Sequence, residues 1–207
     1  MLSTGLITTD DLDKIGSSFR DQPFECAAEL VNAVEQGRVA DAEDIGYALM
    51  LAAEIIERAG DLPGAQVMAE RSVEAYRACG DPDGYPRAYH AELLLRLGRD
   101  EEAMAELTAL RPMMSEDTNA ISYISEAWEE GGRPEIAVEW LTAELRPALQ
   151  RQAELENDRP DPDYEQARKI AFALAQVRHR LRRKLALPFD EHDDRVEQRN
   201  ADAARHE

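Results

Sequence analysis

Apolar residues along this chain recur three and four positions apart, and alternating β-branched runs are missing, so the pattern predicts helices throughout. Thr8, Thr9 and Asp10 offer N-caps to a short helix over 8–20 whose inward positions are Leu12, Ile15 and Phe19. A second helix over 23–36 carries the stripe Phe24, Ala27, Ala28, Val31 and Val34, and Gly37 ends it. Further helices are expected over 42–59, 63–78, 87–97, 100–110, 117–130 and 134–149, separated by glycine- and proline-bearing turns. The last, over 164–185, shows an apolar stripe from Ala167 through Ile170, Leu174, Val177 and Leu181 to Leu185. Past Pro188 the chain is acidic and without periodicity, so 187–207 is expected to be a mobile tail.

Within this helical series one register repeats. Ala53–Gly60–Ala65, Ala91–Gly98–Ala103 and Ser125–Gly132–Ala137 each place a small residue, a glycine seven further on and an alanine five after that. The alanines are spaced by 38 and then 34 residues, the extra four falling in the turn-rich linker from Cys79 to Pro86. A period near 34 built from helix–turn–helix units is that of the tetratricopeptide repeat.

Over residues 42–150 the chain resembles that family. Small residues stand where its paired helices cross closely, and the large wedge between repeats is Ile56, Leu94 and Trp128. Arg87 and His90 depart from the family's apolar pattern in the second repeat. The resemblance implies an all-α, right-handed α-α superhelix: one domain over 1–186, with a leading helical pair over 8–37, repeats over 42–150 and a capping helix over 164–186. It also implies a protein–protein interaction scaffold whose ligand-facing positions lie on the first helix of each pair. Those positions carry Tyr47, Met50, Glu54 and Arg58, then Tyr85, Glu92 and Arg96, then Asn119, Ser122 and Glu126. Glu54, Glu92 and Glu126 would form an acidic ladder suited to a partner bearing lysine or arginine, with the tyrosines as anchors. An acidic ladder would repel the C-terminal carboxylates that some family members clamp, so a chaperone-tail clamp is not expected.

Charge bears on the partners. The net charge is −19, which repels nucleic-acid phosphate and anionic lipid and favours a basic protein or peptide. Against that background, 168–184 holds seven basic residues and no acidic one. Two readings stand: the run complements the acidic array, or it contacts nucleic acid in a regulatory protein. An open array end also offers a surface for self-association. Cys26 and Cys79 are too few for a disulfide framework and are expected to be small buried or half-buried thiols. With neither a leader-like N-terminus nor a membrane-length apolar run, a cytoplasmic protein is expected. No phosphate-cradling glycine loop, metal-ligand pair or activated nucleophile appears, so no catalytic residue, metal or cofactor is expected.

Overall fold

The computed structural model describes residues 6–18, 22–39, 41–80, 84–156 and 161–205. Among them every regular element is helical, and the one strand-like feature is an isolated parallel bridge between Ile7 and Val39. The fold is all-α. Phe19, the linker residues 81–83 and 157–160, and the last two residues lie outside the described part.

The chain divides into two compact units, Met1–Glu106 and Leu107–Glu207, where one continuous domain over 1–186 was expected.

Unit 1 holds α1 (Thr9–Ser18), α2 (Pro23–Glu35), α3 (Ala42–Arg58), α4 (Leu62–Cys79), α5 (Tyr85–Arg96) and the start of α6 (Asp100–Leu110). Successive helices from α2 to α5 pack on one another. Asp61 caps α4 by accepting the Gly64 N–H at 3.0 Å, and Pro63 occupies the first turn, where no intrahelical amide bond is lost. Helices α3 and α4 run antiparallel: Ser72, well along α4, donates to the carbonyl of Gly46 near the start of α3 at 2.7 Å. A side chain at Gly46 would come within 2.6 Å of the Tyr76 ring. Towards the other end of the pair, Ala53 and Ala65 are fully buried in one cluster with Met50, Ala69, Tyr89 and Leu93. Small residues thus line the α3–α4 crossing at both ends. The two residues that depart from an apolar pattern find polar partners. Arg87 pairs with Glu106 at 2.8 Å, and buried His90 meets Gln66 at 3.0 Å, burial holding its ring below the usual histidine value and therefore neutral.

Unit 2 contains a 3-10 helix (Arg111–Ser115), α7 (Thr118–Glu130), α8 (Pro134–Glu154), α9 (Pro162–Lys184) and α10 (Glu191–Ala203). Helix α9 packs on both α7 and α8, and α10 packs on α9. Trp128, fully buried, meets Trp140 edge-on at 5.3 Å between ring centres.

Five helices, α2, α3, α5, α7 and α9, end in one hydrogen-bond pattern. At α3 the N–H of Gly60 donates to the carbonyl of Glu57 and that of Asp61 to Ile56; the pair recurs at Gly37, Gly98, Gly132 and Ala186. This closure needs a left-handed residue, which costs glycine nothing; Ala186, at φ 53°, adopts it with a side chain.

Three expectations are corrected here. The tail is not without structure: α10 fills 191–203, started by a capping box in which Asp190 and Asp193 accept each other's backbone N–H. Helix α8 runs five residues past the expected 149, because Gln150–Glu154 continue it in solvent without an apolar stripe to announce it. Cys79 is exposed at the end of α4, whereas Cys26 is buried as expected.

Candidate functional site

In unit 1 side chains of α3 and α5 meet. Arg96 at the end of α5 reaches Glu57 near the end of α3. The contact belongs to a network. Tyr89 donates its hydroxyl to Glu57 at 2.7 Å, Arg96 pairs with both Glu57 and Glu92 (3.0 Å to the latter), and Arg58 lies 3.7 Å from Glu54 while also donating to its carbonyl at 3.1 Å. Burial, the hydrogen bond to Glu57 and the surrounding carboxylates push the Tyr89 hydroxyl far above its usual value, so it remains a proton donor. Burial also raises the Glu54 carboxyl, with Arg58 opposing and Glu57 adding to the shift.

The positions expected to face a ligand divide accordingly. Glu54, Arg58, Glu92 and Arg96 come together on this surface, and Tyr85 is partly exposed at the start of α5. Tyr47 is half-buried between the two apolar clusters of the unit. Met50 is buried at 7% exposure, because Tyr89 and Leu93 of α5 pack over it; it presents no surface. Asn119, Ser122 and Glu126 are exposed on α7 of unit 2. The ladder of Glu54 and Glu92 is therefore a mixed network with two arginines built in. At its hub, Tyr89 bonds Glu57, and Tyr89 was not among the positions expected to face a ligand. Tyr89, Glu92 and Arg96 do recur at helical spacing on one face of α5, which is the signal that finds them.

The basic run of α9 is engaged within unit 2. Arg178, at 3% exposure, binds Asp193 at 3.0 Å, Asp190, and the Thr142 hydroxyl at 2.8 Å. Arg182 reaches Asp193 at 2.9 Å and the Pro188 carbonyl. Arg180 and Lys184 converge at 2.7 Å on Glu129 of α7, and despite burial their hydrogen bonds hold its carboxyl below the usual range. His179 meets Glu197 at 2.8 Å and the Phe189 ring at 4.9 Å. Of the two readings of this run, internal complementarity is the one the contacts match.

The Arg178 guanidinium, outweighing the desolvation that opposes it, holds the Asp190 carboxyl well below its usual range. A carboxyl lowered in the folded state contributes stability above its unfolded value of about 3.9, and that contribution is lost as the pH falls below it. Acid titration is therefore expected to loosen α10 below about pH 4, seen as earlier amide exchange in 191–203 than in α9. Equal protection of both helices throughout the titration would contradict this.

Compared with known proteins, the chain matches no family model, no curated protein and no solved structure. Among the described residues no group of side chains is arranged to hold a metal ion, and no helix is long and apolar enough to cross a membrane.

Proposed function

We propose that this chain is a non-catalytic adaptor of tetratricopeptide-like build, which holds a protein or peptide partner in an acidic concave groove on α3 and α5. The observation that carries the reading is the Tyr89–Glu57–Arg96–Glu92 network. It fixes carboxylates of α3 and α5 against one another, so they need little ordering when a partner arrives. The antiparallel α3–α4 pair, its small-residue crossing and the recurring helix closure support the repeat assignment. A partner presenting lysine or arginine, with an apolar segment to lie against Tyr85 and Tyr47, fits this chemistry. We place the protein in a reducing cytoplasmic setting, in keeping with two unpaired cysteines. Contact with nucleic acid through α9 is the less favoured reading, since Arg178, Arg180, Arg182 and Lys184 are already paired.

Comparative capture from native lysate tests the assignment. The variant Glu54→Lys/Glu92→Lys, folded by circular dichroism, is expected to lose basic partners by about tenfold or more, and wild-type capture to weaken with salt. An unchanged set of partners would overturn the proposal.

A further inference from the structure

Unit 2 contains a cavity of about 440 Å³ between the second half of α8 and the first half of α9, within the size range of small-molecule sites. Its floor is apolar: Ala148 of α8, and Ala167, Ile170 and Leu174 of α9, the last three buried. Two of the lining positions are alanines, where larger side chains would fill the space. Pro147 also lines it and has no N–H to offer the carbonyl of Ala143, one turn back on the same side of α8.

The rim is charged and largely pre-set. Glu144 accepts from Arg111 at 2.9 Å, and that guanidinium stacks over the Trp140 ring at 4.9 Å. Gln166 donates to the carbonyl of Glu116 at 2.9 Å. The lining holds three carboxylates, Glu116, Glu144 and Asp163, against the single guanidinium of Arg151. With Glu144 balanced by Arg111, the lining still carries an excess of negative charge. An apolar floor beneath a negative rim selects a ligand of matching polarity.

We propose that this cavity binds a small organic cation, an ammonium group carried on an apolar aryl-alkyl body. The aryl group lies on Ala148, Ala167 and Ile170, and the ammonium meets the carboxylates of the rim. The site is independent of the partner surface on α3 and α5.

Titration of the full chain with phenethylammonium, followed by amide NMR, tests it, with phenylacetate as the anion of similar shape. The expected result is saturable shifts confined to 144–151 and 163–174, weakened about tenfold by Glu116→Gln/Asp163→Asn, which removes the carboxylates that Arg111 does not balance. Phenylacetate is expected to leave those amides unmoved. Ala148→Leu, which fills the cavity while keeping α8, is expected to abolish the shifts. The proposal is overturned by an absence of saturable shifts at millimolar phenethylammonium, by equal or tighter binding of phenylacetate through Arg151, or by shifts that survive Ala148→Leu.

Discussion

Replacing Asp193 by alanine is expected to undock α10 and to cost unit 2 about 3–5 kcal/mol, the scale for breaking a buried ion pair by removing one partner. Asp193 is fully buried and accepts hydrogen bonds from Arg178, Arg182 and the backbone N–H of Asp190. Without it the buried Arg178 guanidinium keeps only Asp190 and the Thr142 hydroxyl, and the capping box that starts α10 is lost with it. A charge left in an apolar setting without adequate counter-charge is the costly species, more than any single lost bond. The paired change Arg178→Met/Asp193→Leu removes both charges and is expected to recover most of the loss, since well-packed apolar residues often replace a buried pair without penalty. Amide exchange in α9 and α10 reads both variants without assuming that two units unfold as one. Protection in Asp193→Ala equal to wild type would show that the ion pairs do not hold the helix.

That helix also shows where pattern reading stops. Helices α2 to α7 were legible because each buries an apolar stripe, and glycines 37, 60, 98 and 132 mark the ends of α2, α3, α5 and α7. Helix α10 buries only Val196 among its apolar side chains and is held by Asp193, by Glu197, and by Arg199 stacked 3.7 Å over Phe172. A search for apolar periodicity does not register a helix docked by charge. The clue lay elsewhere, in a basic run at 178–184 followed within a few residues by an acidic one.

The candidate surface was legible to a similar degree. Arg58 and Arg96 follow Glu54 and Glu92 by four residues, so those pairs could be anticipated from spacing. The bonds from Tyr89 and Arg96 to Glu57 cross between helices 32 and 39 residues apart in sequence, and no local pattern reports them. Met50 failed as a surface residue for the same reason. The side chains that cover it, Tyr89 and Leu93, come from the next helix pair.

In unit 1, α3 and α4 cross so closely that only small side chains fit between them. Ala53 and Ala65 have no exposed surface, and the cluster around them already holds Met50, Tyr89 and Leu93. Leucine at 53 would have to displace these neighbours, an overpacking expected to cost about 1–3 kcal/mol. It would also shift Tyr89, whose hydroxyl holds Glu57, so the partner face would suffer along with the packing. Leucine at the exposed Ala78 of α4 adds the same atoms where there is room, and is expected to stay within about 0.5 kcal/mol of wild type. The decisive measurement is the stability of Ala53→Leu beside Ala78→Leu, read by amide exchange in α3 and α4. A loss confined to Ala53→Leu is the predicted result. Wild-type protection in Ala53→Leu would contradict the tight crossing on which the partner face depends.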